Sequence, residues 1–209
     1  MKNAWLIRPF PNGIDRLKEF KENGIIAVGW PGIGDLKGKS REDLKAILAD
    51  VPYSLTGLAL GNAYATVDIF VNQMKAGDLL LMPNGDDIYL GEVTSDYYFD
   101  FKVDTDEEGY SHQRTAKWLA CVSRQDLSMA LRSSLKVHRT TANLSLHSDE
   151  INALCKGEKP ILVPDFIEVK YPLRPDFEVS FKIPKDINSD EAKRLSFFLA
   201  SLYFTKQVQ

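Results

Sequence analysis

The chain has 209 residues, 44% of them apolar and 11% aromatic, enough core for one domain with an appendage or for two small domains. A net charge of −3 excludes a generic nucleic-acid coat. No apolar run approaches a bilayer span, and MKNAWLIRPF lacks the apolar region of a signal peptide, so the expectation is a cytoplasmic protein without membrane contact. Cys121 and Cys155 stand far apart with no metal-type spacing, which predicts no disulfide, no zinc site and no cofactor.

Asn3 to Arg8 reads as an opening strand, and Pro9 to Gly13 turn out of it. Ile14, Leu17 and Phe20 follow at helical spacing up to a stop at Asn23-Gly24. A second strand leads into Trp30. Ser40 with Asp43 forms a capping box before Leu44, Ile47 and Leu48, and Asn62 is placed to cap a helix with the apolar stripe Ala63, Val67, Phe70 and Met74. Asp78 to Met82 and Ile88 to Thr94 flank Pro83-Asn84-Gly85-Asp86-Asp87, a hairpin signal. The aromatic cluster Tyr97, Tyr98, Phe99 and Phe101 precedes an acidic loop, Asp104 to Glu108, expected to be exposed and mobile. Arg114 to Val122 alternates as a strand carrying Trp118, and short helices are expected at Leu127 to Leu131 and at Glu150 to Leu154. A boundary near Gly157 sets off a tail with strands at 161–171 and 177–183 and a helix from Ser189 through Tyr203.

The most informative stretch is IIAVGWPGIGDL, Ile25 to Leu36. A buried strand ends at Gly29 and presents Trp30 on a turn with Pro31, Gly32, Ile33 and Gly34. Trp30 is either a stacking platform, with glycines admitting a ligand or another backbone, or a core anchor whose glycines only turn the chain. A phosphate-binding loop ending in Gly38-Lys39-Ser40 is not met, because its first glycine would fall on Ile33. The glycines do not fit a dinucleotide fold either.

Charge is unevenly spread. His112 to His147 holds six basic residues, Arg114, Lys117, Arg124, Arg132, Lys136 and Arg139, against one acid, Asp126, while Gly61 to Ser111 holds eleven acids against Lys75 and Lys102. That asymmetry reads as one basic face on an acidic body, with or without a partner.

Read together, AWLIRPFPNG, IIAVGWPGIGDL, AGDLLLMPNGDDIYLGEV and HQRTAKWL make residues 1–157 resemble the EVE, PUA and YTH group of pseudobarrel domains. The form they resemble most is the recognition domain at the N-terminus of McrB-like and Mrr-like modification-dependent restriction proteins. The resemblance implies an α+β fold: a small mixed β-barrel with rim helices, followed here by a strand-strand-helix appendage at 158–209. It implies a non-enzymatic DNA-binding reader of a modified, methylated base in a restriction or defence context. The base would flip into an aromatic pocket, with DNA favoured over RNA, and cleavage would need a separate motor or nuclease subunit. Stacking returns roughly 1–3 kcal/mol per base against a flipping cost of a few.

On this reading Trp30 and Gly32 border the base, with Tyr89, Tyr97, Tyr98 and Trp118 as unranked candidates for a second aromatic wall. Asn62, or Asn84 and Asp86 on the hairpin, would meet its polar edge, although plain turn chemistry also accounts for the hairpin pair. Arg114, Lys117, Arg132, Lys136 and Arg139 would hold phosphates.

Two rivals remain. A PUA-like module would bind RNA by the same stacking. The tail holds the letters of a divalent-metal nuclease in Asp165, Glu168 and Lys170, but on one regular strand Asp165 and Glu168 point to opposite faces. No Gly-x-Ser-x-Gly elbow is present. Finally, Leu195, Phe198, Leu199 and Leu202, flanked by Phe197, Tyr203 and Phe204, give the last helix more apolar surface than two strands can cover, which favours a homodimer.

Overall fold

The run LLLM, Leu79 to Met82, shows how the sheet is built: Leu80 and Met82 point into one hydrophobic core while Leu79 and Leu81 point into another. A strand covered on both faces must be apolar throughout, which is why AWLI and LLLM show no polar alternation. The computed structural model describes residues 2–158, 166–185 and 187–202. Two compact units divide the chain, Met1–Pro160 and Ile161–Gln209.

In the first unit the strands are β1 (Ala4–Ile7), β2 (Ile25–Val28), β3 (Leu79–Asn84), β4 (Asp87–Val93), β5 (Tyr98–Phe99), β6 (His112–Ser123) and β7 (Thr141–Asn143). The helices are α1 (Leu17–Asn23), α2 (Arg41–Ala49), α3 (Gly57–Asp68), α4 (Met129–Ser134) and α5 (Ser148–Cys155). The sheet order is β2-β6-β4-β3-β1-β7, with β5 also on β6. Only β1 and β3 run parallel; the remaining pairs are antiparallel. No pairing among the described residues joins the edge strands β2 and β7, so the sheet curls into a half-barrel and does not close into the small barrel expected. Nor do the helices sit at a rim. Side chains of α1, α2 and α3 fill one core and those of α4 and α5 the other, one on each face.

β6 is the organising strand. Its first residues pair with β2 and β5 and its later ones with β4, so it carries the chain from one end of the sheet to the other. Opposite it, Gly91 sits at a register shift, where an added Cβ would stand 2.7 Å from the Lys117 carbonyl and 3.0 Å from the Trp118 ring. The close packing of Trp118 therefore requires glycine there.

Three local expectations change. Asn62 does not cap: α3 starts at Gly57, leaving Asn62 inside the helix with its carbonyl accepting from the Thr66 hydroxyl. The stripe of Ala63, Val67, Phe70 and Met74 is buried as expected, but Phe70 lies on a π-helical turn, Ile69–Gln73, that continues α3, and Met74 follows it in extended conformation. The acidic loop is pinned rather than loose. Asp104 accepts from the Gly32 amide and the Ser111 hydroxyl, Asn12 donates to the Asp106 carbonyl, and Arg16 donates to the carbonyls of Glu107 and Glu108.

The tail unit pairs β8 (Phe166–Arg174) with β9 (Phe177–Pro184) as a hairpin and continues into α6 (Ser189–Ser201). Asn188 is the cap of α6, with a side chain that accepts from the Asp190 and Glu191 amides. None of the described tail residues is buried. Glu168 accepts from the Ser180 hydroxyl and Lys170 faces Glu178 at 3.7 Å, while Asp165 and Tyr203 lie outside the described residues.

Candidate nucleic-acid interface

Strand β2 delivers the chain to Gly29, where an added Cβ would meet the Asn12 amide nitrogen at 2.7 Å. That approach brings the turn after β1 against the turn after β2. Trp30 follows with φ at 72°, a left-handed conformation that costs a bulky residue on the order of 1–3 kcal/mol. Something must hold it there.

Two groups do. The Tyr53 hydroxyl donates to the Pro31 carbonyl at 2.9 Å. Behind the turn, His112 is fully buried, with Nε2 3.3 Å from the Trp30 carbonyl and Nδ1 2.9 Å from the Tyr97 hydroxyl. A carbonyl can only accept, so Nε2 carries the proton and Nδ1 accepts from Tyr97. The Tyr97 oxygen in turn accepts from the Leu36 amide at 3.1 Å. The relay Leu36 amide, Tyr97, His112, Trp30 carbonyl thus has one hydrogen-bond direction throughout. Burial pushes the His112 pKa down to about 4 and raises that of Tyr97, which keeps both neutral and the direction fixed.

In front of the turn lies a cleft of about 250 Å³. Phe10, Trp30 and Tyr53 supply its aromatic surface, and Asn12, Gly13 and Thr140 its polar surface. Phe10 is 43% exposed and Trp30 is half-buried, so ring surface remains open. Burial lifts the Tyr53 pKa to about 12. The loop ahead of Thr140 is fixed by Arg8, whose guanidinium donates to the carbonyls of Leu135, Val137 and Arg139. Lys136, His138 and Arg139 are exposed on this loop, which runs into Thr140 of the cleft.

Of the expected base-binding residues, the structure brings together Trp30, the neighbouring Gly32 and, one layer behind, Tyr97. It separates the rest from them. Asn84 and Asp86 turn the hairpin beside Ser123, at the opposite end of β6 from His112, and Arg124 holds the Gly85 carbonyl there. Tyr89 lies under the Lys21 ammonium, 4.2 Å from its ring centre, and the Trp118 indole donates to the Phe20 carbonyl, so both belong to the packing of α1. The Tyr98 hydroxyl is spent on Gln113. Asn62 does not line the cleft.

The basic residues divide as well. Arg114 is 2% exposed and donates to the carbonyls of Phe70, Val71 and Ser95, so it braces the core. Lys117 is exposed on β6, and Arg132 is half-buried on α4. Phe10 and Tyr53 were missed because each lies within an ordinary turn segment. Among the described residues, no group of three or more His, Cys, Asp or Glu is placed to hold a metal, and no helix is long and apolar enough to cross a membrane.

The Trp30 backbone gives a test of its own. At a left-handed φ glycine is unstrained while alanine keeps the strain, so Trp30→Gly is expected to be about 1 kcal/mol more stable than Trp30→Ala in urea unfolding. In an ordinary right-handed or extended conformation the order would reverse.

Residues 12–144 match the family described as a domain of unknown function (DUF8426), and the chain belongs to that family. No curated protein matches the sequence. Among solved structures, the chain is similar to the YTH domain of the Zygosaccharomyces rouxii MRB1 protein, determined in complex with N6-methyladenosine RNA. The identity is 16% over 77% of this chain and 91% of that one, with a TM-score of 0.39. It is also similar to protein Atu2648 from Agrobacterium tumefaciens, at 16% identity over 76% of this chain and 99% of that one, with a TM-score of 0.33. Both likenesses are distant.

Proposed function

We propose that the cleft bordered by Phe10, Trp30 and Tyr53 receives one modified base flipped from nucleic acid, and that the protein is a reader of that base. The observation that carries this is Trp30 itself. A bulky side chain is kept on a strained backbone, gripped from behind by a buried histidine, and its ring is left partly open in a cleft. A core anchor would gain nothing from strain that leaves it half-covered, whereas a stacking wall needs a fixed, open ring.

Stacking would return roughly 1–3 kcal/mol, near the flipping cost, and Lys136 and Arg139 beside Thr140 would supply the remainder by pairing with phosphates. The Asn12 carbonyl oxygen and the Thr140 hydroxyl are the polar groups suited to a base edge. One methyl adds only about 0.8 kcal/mol by burial, so selection rests on the shape of the cleft. We further propose DNA over RNA and a restriction or defence setting, on the sequence motifs that resemble McrB-like and Mrr-like recognition domains, with cleavage left to a separate subunit.

Fluorescence anisotropy on the full chain should compare DNA with one methylated base, the same DNA unmodified, and RNA with N6-methyladenosine. Methylated DNA is expected to bind most tightly, and Trp30→Ala to lose about 1–3 kcal/mol of that affinity while remaining folded. Equal binding of methylated and plain DNA, or an unaffected Trp30→Ala, would contradict the reading. Tighter binding of the RNA would transfer it to RNA. Replacing Lys136 and Arg139 by alanine is expected to flatten the slope of log affinity against log salt by about 0.9 for each phosphate that is no longer neutralised.

The tail is proposed as a self-association unit, because Phe197, Phe198, Leu199 and Leu202 of the last helix segment and Tyr171 and Phe177 of the hairpin are all exposed. Light scattering is expected to give about twice the 23.6 kDa chain mass, and removal of residues 185–209 to halve it. A monomeric full chain would dispose of the idea.

A further inference from the structure

A second cleft, of about 410 Å³, opens between the loop after Leu36 and the π-helical turn. Lys37, Lys75 and Arg114 line it, with Asn72, Asp96 and Tyr97. The ammonium groups of Lys37 and Lys75 make no hydrogen bond or ion pair among the described residues, although the backbone amides of both are held by carboxylates, Asp35 and Asp78. Arg114, nearly fully buried, is met by three carbonyls and by no carboxylate within ion-pair distance. A guanidinium has five N–H groups, so two remain after those three bonds. Three cations line the cleft with one lining carboxylate, Asp96, while the neighbouring Asp35 and Asp78 carboxylates are turned to backbone amides and, for Asp78, to the Trp5 indole.

The carbonyls of Phe70 and Val71, which at a helix end would repel an anion, are already occupied by Arg114. We infer that this cleft binds a phosphate ester, its phosphate between Lys37 and Lys75 and its organic part toward Asn72 and Asp96. The ester is either a free sugar phosphate or a backbone phosphate of nucleic acid; the chemistry that the cleft offers is the same for both. The site stands independently of the base cleft, from which the Tyr97 and His112 side chains separate it.

Isothermal titration of the full chain should use ribose 5-phosphate, inorganic phosphate, and, in a Trp30→Ala chain, an unmodified oligonucleotide. The paired variant is Lys37→Ala with Lys75→Ala, two surface changes that should leave the melting temperature unchanged. At least one ester is expected to bind and to lose tenfold or more in affinity in the paired variant, and the ester that responds names the source. If neither ester responds, or inorganic phosphate binds as tightly as both, the assignment is overturned.

Discussion

Arg114→Ala is expected to cost the first unit about 3–5 kcal/mol, because it strips three carbonyls of their partner at about 1–3 kcal/mol for each one buried and leaves a void. Its guanidinium reaches the Phe70 carbonyl at 2.7 Å, Val71 at 3.0 Å and Ser95 at 3.1 Å. Phe70 and Val71 lie where the π-helical turn that extends α3 runs out, and a helix leaves its last carbonyls without partners. Arginine closes that end, places a positive charge on the negative pole of the helix, and ties it to β6 and to the loop at Ser95. Alanine would leave those carbonyls unpaired inside the protein and open a void. Arg114→Lys offers one compact ammonium for three carbonyls and should recover only part of the loss. Urea unfolding measures both, and a cost below 1 kcal/mol for alanine would show that Arg114 is not the brace described here.

Acid is expected to loosen the same unit through His112. The folded state holds this histidine neutral down to about pH 4 because it is buried, whereas in the unfolded chain it protonates near pH 6.5. Between those values the unfolded state binds a proton that the folded state refuses. The contribution is therefore fully present above pH 6.5 and is lost as pH falls toward 4, by on the order of 3 kcal/mol. Glu19, held below the usual carboxylate range by its hydrogen bond from Arg16, and Asp43, held down by the Ser40 amide, add losses only at still lower pH. His112→Gln isolates the effect. The variant should be less stable than the parent at pH 7, since the relay is broken, and the gap should shrink by pH 4.5. A gap that stays constant with pH would mean that His112 titrates normally in the folded protein.

Much of this fold could be read from local pattern. The apolar runs, the Asn-Gly hairpin and the Ser40 capping box all act over a few residues, and each lies where its spacing placed it. The Gly-Trp turn was also legible, because Gly29 and Trp30 interrupt an apolar strand abruptly. Arg114 was misread for an instructive reason. Counting charge along a window treats every arginine as surface, whereas strand alternation puts Arg114 on the face it shares with His112 and Ala116, both buried. The alternation was the better guide. The cleft itself was less accessible, since Phe10, Trp30, Tyr53 and Thr140 come from four separate turns and meet only once β1, β2 and β7 are in register. Hairpin residues Asn84 and Asp86 were drawn to the site by their chemistry, but β6 holds them at the far end. Open or closed, the sheet depends on whether β2 and β7 meet, and no short-range signal encodes that.

The most direct measurement is a crystal structure of the full chain with an oligonucleotide carrying one methylated base. The account predicts that base extruded from its neighbours, stacked on the Trp30 ring between Phe10 and Tyr53, with its phosphates toward Lys136 and Arg139. A complex with the base still stacked in the nucleic acid, and the Trp30 cleft empty, would contradict it.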